Sequence, residues 1–268
     1  MSHPMAFLHG ANWSLPRPAW TALTVWRRNF LVWRKLIGPS LLFNFGEPLL
    51  YLLGLGFGLG RFVGEVGGMS YLAFLATGLL ASSSMNTATF EGLYSVYTRM
   101  VPQQTYDGML ATPVDVDDIV LGEMLWCATK GLISSTAILL VALGLGALHG
   151  WQAILCLPAF YLTGLCFAGP ALVVSSLSRS YDFFAYYVTL VITPMYIFCG
   201  VFYPTDALPG IAQSFVDLLP LTHAVGLIRP LAAGQLPAEF ALHVGVLTAY
   251  AVIGFYFAVV LVRRRLIQ

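Results

Sequence analysis

The stretch that decides the fold is IVLGEMLWCATKGLISSTAILLVALGLGAL, residues 119–148. The hydrocarbon core of a bilayer is about 30 Å thick and takes roughly 20 apolar residues of helix, so this run is long enough to cross it. Similar runs predict six membrane spans at 37–60, 69–97, 119–148, 151–177, 183–203 and 240–262. The expected fold is an all-α membrane protein with one transmembrane domain over residues 1–268.

Charged side chains are too few for a soluble protein. The 268 residues include 13 Lys+Arg and 12 Asp+Glu, which is 9% of the chain, while 58% of residues are hydrophobic. Soluble domains carry about 25% charged residues, and a water-soluble fold of this composition could not cover its surface with polar groups. The net charge of +1 provides no basic excess for nucleic acid. These numbers exclude a soluble enzyme and a nucleic-acid partner.

The basic residues predict the orientation in the membrane. Only Arg61 and Arg229 fall on the other side of the predicted spans, and Lys130 lies inside one. The remaining ten share one side: Arg17, Arg27, Arg28, Arg34, Lys35, Arg99, Arg179, Arg263, Arg264 and Arg265. Because cytoplasmic loops are enriched in Lys and Arg, both termini are expected in the cytoplasm, which requires an even number of spans.

Residues 18–35 predict an amphipathic helix in the cytoplasmic interface, with Pro18 in its first turn. One face carries Leu23, Trp26, Phe30, Trp33 and Ile37, and the opposite face carries Arg17, Thr21, Thr24, Arg28 and Lys35. The helix is expected either to anchor the chain to anionic lipid or also to border the groove where a cytoplasmic partner docks.

Three ionisable residues fall at one predicted depth inside the spans: Glu47, Glu91 and Lys130. A charge at mid-membrane costs at least about 2.5 kcal/mol, so these residues need a structural or functional reason. We expect Lys130 to form an ion pair with Glu47 or Glu91. A cavity-lining group that gates or contacts substrate, and a proton relay, are the alternatives.

The connection RMVPQQTYDGMLATPVDVDD, residues 99–118, is the longest one on the cytoplasmic side. It predicts a short helix capped by Thr105, with Asp107 in the first turn and Pro113 ending it. Tyr106, Met109 and Leu110 form an apolar group that is expected to face water and so to mark a docking surface. A packed loop is the alternative.

Residues 204–237 are apolar but are interrupted by Pro209, Pro220 and Pro230. Each piece is too short to span a bilayer, so the segment is expected to dip into the membrane from outside and return, lining a path as a lid. The candidate path and gate residues are Tyr196, Phe198, Phe202, Tyr203, Pro204, Pro220 and His223. Aromatic rings there could stack on sugars or hold acyl chains, although interface belts and dimer packing also explain such rings.

No catalytic, cofactor or metal site is expected. Lys35 and Lys130 are the only lysines, and neither stands in a GxxxxGK[ST] phosphate-binding loop. Cys127, Cys156, Cys166 and Cys199 lie in apolar runs without metal-ligand spacing, so they are expected to be small core residues.

The segments TYDGMLATPV, DIVLGEMLWCATK, SRSYDFFAYYVTLVITPMYIFCGVFYP and PLTHAVGLIRP resemble the permease subunits of ATP-binding-cassette exporters of the second type. The resemblance covers essentially the whole chain. It implies a homodimer in the bacterial inner membrane, bound to two copies of a separate cytoplasmic ATPase that holds ATP and Mg. It also implies that residues 105–113 form the coupling helix and residues 204–230 the outer gate.

Within that family, the chain is most similar to the group that exports lipo-chitin oligosaccharide signals in nodulation. The resemblance therefore implies export of a lipo-oligosaccharide or glycolipid, with ATP hydrolysed by another chain. Three alternatives stay open: an exporter of polysaccharide, lipid or drug on the same scaffold, a proton-coupled secondary transporter, and a membrane assembly factor that transports nothing.

Overall fold

A computed structural model describes residues 13–38, 46, 49–148 and 151–266, and these residues are mostly helical. The helices are α1 (Ala22–Trp33), α2 (Leu49–Val63), α3 (Tyr71–Phe90, continuing through a π-helical turn at Glu91–Ser95 into Val96–Met100), α4 (Thr105–Leu110), α5 (Val116–Gly144), α6 (Cys156–Leu177), α7 (Asp182–Phe198), α8 (Gly210–Val216), α9 (Pro220–Ala232) and α10 (Phe240–Leu266). Short 3₁₀ turns occupy Arg34–Leu36, Trp151–Leu155 and Thr205–Ala207.

The long helices α3, α5, α6 and α10 pack against one another and form the centre of the molecule. Small residues let their backbones approach closely, as is usual between membrane helices. A Cβ on Gly164 would lie 2.7 Å from Ala128 Cα, and one on Gly169 would lie 2.8 Å from Gly254 Cα. The α6–α10 and α5–α6 contacts therefore depend on glycine.

Replacing Gly254 with valine is expected to destabilise the protein by about 1 to 3 kcal/mol, because the added side chain overlaps Gly169 and Pro170 and forces α6 and α10 apart. Gly245→Val on the same helix is the matched control, since a Cβ there meets nothing within 4 Å. Thermal unfolding of the purified protein in detergent compares the two. Equal unfolding temperatures would contradict the glycine-dependent packing.

Three of the described helices are long and apolar enough to cross a membrane alone: Val116–Gly144, Gln152–Leu177 and Phe240–Leu266. The pair α8 and α9, bent by 84°, passes the same test as a unit. The predicted first and fifth spans correspond to the shorter apolar helices α2 and α7. The predicted second span corresponds to α3, whose middle carries the run SSSMNT. An α-helical membrane protein is supported, and the six-span topology stays a prediction.

The all-α expectation agrees with the described residues apart from one short hairpin. A two-stranded antiparallel hairpin, β1 (Glu65–Val66) and β2 (Met69–Ser70), connects α2 to α3. Its turn is formed by Gly67 and Gly68, whose φ angles of 59° and 78° suit glycine.

The interfacial helix also begins later than predicted. α1 starts at Ala22, so Pro18 precedes the helix instead of standing in its first turn. Its side chains Ala22, Val25 and Asn29 are buried. Val25 packs over Gly122 of α5, where an added Cβ would lie 2.6 Å from Val25 Cβ. α1 is thus docked against α5.

Serine side chains within the bundle form hydrogen bonds between helices, and the cysteines lie in its core. Ser83 Oγ lies 2.9 Å from Ser134 Oγ, and Ser84 Oγ donates to the Phe160 carbonyl at 2.7 Å. All four cysteines are buried, in agreement with their interpretation as core residues.

Candidate functional site

The short helix α4 stands where the sequence predicts it, but its cap and its exposed face differ from the prediction. Gln104 precedes the helix with a left-handed φ of 48°, and Thr105 is the first helical residue, so Thr105 is not the cap. Tyr106 is only 1% exposed. The expected water-facing apolar group was therefore wrong for Tyr106, which packs into a core cluster with Ile119.

Met109 and Leu110 are half-buried and pack against the same core cluster as Tyr106. What faces solvent is polar or small: Asp107, Gly108, Ala111, Thr112 and Pro113. Thr105 is half-buried at the start of the helix. α4 is thus fastened to the protein by its apolar side, and any partner would contact the opposite side.

Tyr106 is buried beside Glu123 and Arg99, whose charges act on its phenol. Burial raises the pKa of Tyr106 well above its usual value, so this side chain stays neutral. The buried side of α4 therefore adjoins a group of charged residues on α3 and α5.

That group is a network of buried ion pairs, which we call the charge network: Glu91, Arg99, Glu123 and Lys130. Lys130 Nζ lies 2.8 Å from Glu91 Oε2, so Glu91 is a partner of Lys130 among the described residues. Glu47, the other candidate, lies outside the described residues. Arg99 binds Glu123 through Nη2 at 2.7 Å and Nε at 3.0 Å and also approaches Glu91 at 3.3 Å.

Neutral donors complete the charge network. Trp126 Nε1 donates to Glu91 at 3.0 Å, Ser95 Oγ donates to Glu91 at 2.8 Å, and Asn29 Nδ2 of α1 donates to Glu123 at 3.0 Å. Glu123 is completely buried. These contacts join α1, α3 and α5 at one place, beside the buried side of α4.

Reasoning from the sequence singled out Glu91 and Lys130 but missed Arg99, Glu123 and Asn29. A signal was present, because Glu91, Ser95 and Arg99 follow each other at intervals of four residues and Glu123 precedes Lys130 by seven. Two such rows on neighbouring helices predict a chain of ion pairs.

A second polar cluster lies at the start of α5 and holds both ends of the described chain. Arg263 binds Asp117 through Nε at 2.7 Å and Nη2 at 2.5 Å, and its Nη1 donates to the Ser14 carbonyl at 2.9 Å. The backbone N–H of Ala19 donates to Asp118 Oδ1 at 2.6 Å. Asp118 and Asp115 also form the capping box of α5.

Residues 204–230 form one 3₁₀ turn and the bent pair α8 and α9, with Pro220 at the start of α9. This arrangement agrees with the short helices expected there. His223 lies 3.0 Å from His243 of α10 between Nδ1 atoms, and its Nε2 lies 2.9 Å from the Asp217 carbonyl. The segment is thus held against α10.

The predicted path aromatics divide into two groups. Tyr196 and Phe202 form an edge-to-face cluster with Tyr51 of α2, with centroids 5.0 to 6.1 Å apart. Phe198 is 43% exposed, and Tyr203 and Pro204 are half-buried and outside this cluster.

Comparison with known proteins adds the family. The model of the ABC-2 type transporter family matches residues 21–232, most of the chain. The chain belongs to the ABC-2 type transporter family. No solved structure matches this transporter.

Similar proteins cover nearly the whole length of this ABC-2 transporter. Nodulation protein J of Bradyrhizobium diazoefficiens is 48% identical over 95% of this chain and 97% of its own length. Nodulation protein J of Rhizobium meliloti is 45% identical over 94% of this chain and 97% of its own. The Inner membrane transport permease YadH of Escherichia coli is 25% identical over 78% of this chain and 82% of its own.

Proposed function

We propose that this ABC-2 transporter chain is the permease subunit of an exporter that moves a lipo-oligosaccharide of the nodulation-signal type, or a related glycolipid, out across the bacterial inner membrane. Its relatives named Nodulation protein J, at 43–48% identity over nearly the full length, support this cargo class. A separate ATPase, which binds ATP and Mg, supplies the energy, since no GxxxxGK[ST] sequence occurs in the chain.

The observation that carries the proposal is the construction of α4. One side of this helix is buried through Tyr106 beside Arg99 and Glu123, and the other presents Asp107 and Gly108 to solvent. A surface helix that packs against a rigid, buried network of ion pairs transmits a displacement to the neighbouring helices better than a flexible loop does. In the proposed mechanism, closure of the ATPase dimer presses on residues 105–113 and thereby moves α3 and α5.

Two copies of the chain with two ATPase subunits complete the proposed exporter. The bent pair α8 and α9 closes the path on the outer side, near Tyr196, Phe198, Phe202 and Tyr203. Both termini lie in the cytoplasm, where Arg263 and Asp117 hold the C-terminal helix against the start of α5.

Reversing the charge at Asp107 is expected to uncouple the complex while leaving the fold intact, because Asp107 is exposed. Asp107→Arg combined with Gly108→Trp should abolish stimulation of the partner ATPase by the permease and reduce export at least about tenfold, by removing contacts worth about 1.4 kcal/mol or more. ATP hydrolysis by the copurified complex in vesicles measures the first effect.

Glu65→Arg in the hairpin is the matched charge reversal, since Glu65 is exposed but far along the chain from α4. It should leave ATPase stimulation unchanged. Normal stimulation and export by the α4 variant would overturn the coupling role of residues 105–113.

Cargo and energy source are tested separately. Lipo-chitin oligosaccharide accumulating in inside-out vesicles should require ATP and should persist when the proton gradient is dissipated. Transport that follows the gradient instead would favour a secondary transporter. Glu91, one of the two candidate relay carboxylates, is ion-paired to Lys130 and Arg99 and so is no lone carboxylate.

A further inference from the structure

A cavity of about 390 Å³, which we call the α1 pocket, opens between α1, α3 and α5. Its walls include Arg28, Trp33, Glu91, Arg99, Trp126 and Lys130. Three cations thus surround the pocket, while the carboxylates that pair with them are Glu91 and Glu123. The pocket carries one positive charge in excess.

The excess charge is located on Arg28. Among the described residues, its guanidinium hydrogen-bonds only the neighbouring Asn29 Oδ1, at 3.0 Å, and no carboxylate lies within ion-pair distance. Burial, reinforced by repulsion from Arg99, lowers the pKa of Arg28. A half-buried arginine without an anion, at the wall of a cavity, is a binding group for a phosphate or carboxylate.

A separate apolar groove lies farther along α5, towards its C-terminal end. This α5 groove has a volume of about 700 Å³ and is lined by Leu132, Ile133, Thr136, Ala137, Leu140 and Leu157, among others. Trp126 and Lys130 of the pocket, and Ile133, Ala137 and Leu140 of the groove, follow each other at intervals of three or four residues, so they share one stripe of the helix. The polar pocket and the apolar groove share no lining residue, but they follow each other along this stripe of α5.

The dimensions match one leaflet of a membrane. Ten residues separate Lys130 from Leu140, which is about 15 Å along a helix and about half of the 30 Å core that two leaflets of acyl chains fill. α1, the interfacial helix, borders the pocket at its polar end. Trp26 Nε1 of α1 donates to Thr129 Oγ1 of α5 at 2.9 Å, so we place the polar interface beside Lys130 and not, as the sequence predicted, about ten residues closer to the start of α5. With that interface, an anionic head on the α1 side and an acyl chain along α5 would both lie at their natural depth.

We propose that the α1 pocket and the α5 groove together bind one anionic phospholipid of the cytoplasmic leaflet, with its phosphate on Arg28 and an acyl chain along Ile133, Ala137 and Leu140. The lipid would neutralise the excess charge and hold α1 against α5. This proposal goes beyond the proposed function, because the lipid is a resident membrane phospholipid and not the exported cargo.

Vesicles made of equal parts phosphatidylglycerol and phosphatidylcholine provide the test. The chain is reconstituted, extracted in mild detergent, and its retained lipids are counted by mass spectrometry. The wild type should retain phosphatidylglycerol in preference to phosphatidylcholine. Arg28→Gln should lower that preference about tenfold, as expected for loss of a charge-assisted hydrogen bond.

Arg27→Gln is the matched control, because it removes the same charge from an exposed neighbour. Thr136→Trp should lower retention by filling the groove, whereas Val252→Trp, at a side chain 60% exposed on α10, should not. Equal retention in the Arg27→Gln and Arg28→Gln variants, or equal binding of both phospholipids by the wild type, would overturn the proposal.

A glycolipid that occupies the site and resists exchange with phosphatidylglycerol would also overturn the proposed occupant. Export of the lipo-oligosaccharide is measured in the same vesicles. Failed export with normal phosphatidylglycerol retention counts against the proposed function alone, and normal export by a variant that has lost retention leaves that function standing.

Discussion

Replacing Arg99 with methionine is expected to lower the free energy of unfolding by about 3 to 5 kcal/mol, the largest loss expected from any single charge in the molecule. Arg99 holds Glu123 through two hydrogen bonds, at 2.7 and 3.0 Å, and Glu123 has no exposed surface. Methionine preserves much of the volume but leaves that carboxylate buried with only Asn29 as a donor among the described residues. Most of the expected loss of stability comes from burying this carboxylate without its ion-pair partner.

The physical reason predicts a rescue. Adding Glu123→Gln to the Arg99→Met variant removes the buried charge and should recover more than half of the lost stability, because breaking a buried pair costs far more than replacing both partners. Lys130→Met should cost less than Arg99→Met, since Glu91 keeps Arg99, Trp126 and Ser95 as donors.

Thermal unfolding of detergent-purified protein, completed as a double-mutant cycle, measures the coupling between Arg99 and Glu123. Arg179→Met is the matched control, because Arg179 is exposed and should change stability by less than about 0.5 kcal/mol. A double variant no more stable than Arg99→Met alone would show that the pair is not the source of the loss.

The helical character, the short helix at 105 and the presence of an ion pair at Lys130 could be predicted from the sequence, because apolar length, proline positions and the cost of membrane charge are local properties. Which of Glu47 and Glu91 pairs with Lys130 stayed open. The place of Arg99 follows from its spacing only in part. Eight residues of ideal α-helix turn Arg99 about 80° away from Glu91. The π-helical turn at Glu91–Ser95 has more residues per turn than an α-helix, which compensates for this angle and brings both side chains to one face of α3.

The burial of Tyr106 was also beyond the sequence. A six-residue helix with three apolar side chains has no pattern that says whether those side chains face solvent, a partner or the protein's own core. Long-range packing decides it: Tyr106 joins Val96, Ile119 and Val120, which come from two other helices. The same holds for Arg28, whose proposed role in binding a phosphate depends on the docking of α1 against α5.

The second large effect is expected at Arg229 on α9, which connects α9 to α3 and to the turn at Gly200. Its Nε donates to Thr77 Oγ1 at 3.0 Å, and its Nη2 donates to the carbonyl of Gly200 at 2.7 Å and to that of Phe74 at 3.3 Å. The guanidinium also stacks on the Phe74 ring, 3.7 Å from its centroid. No carboxylate pairs with it among the described residues.

Arg229→Met is expected to cost about 2 to 4 kcal/mol, less than Arg99→Met, because two carbonyls lose a charged donor but no buried anion is left behind. The loss should be local, since the broken contacts hold α9 against α3 and the turn at Gly200. Cys199 precedes Gly200, and Cys156 Sγ lies 3.7 Å from the Ile228 carbonyl, so both buried thiols report on this contact.

Maleimide labelling of the native cysteines therefore measures the opening. In Arg229→Met, Cys156 and Cys199 should react several times faster than in the wild type, whereas Cys127, buried beside the charge network, should keep its rate. Arg61→Met, at an exposed arginine of α2, is the control and should change none of the rates. Equal acceleration of labelling at all cysteines would mean general unfolding. Unchanged labelling would mean that Arg229 does not hold α9. Only faster labelling of Cys156 and Cys199 alone identifies Arg229 as the residue that keeps the bent pair closed.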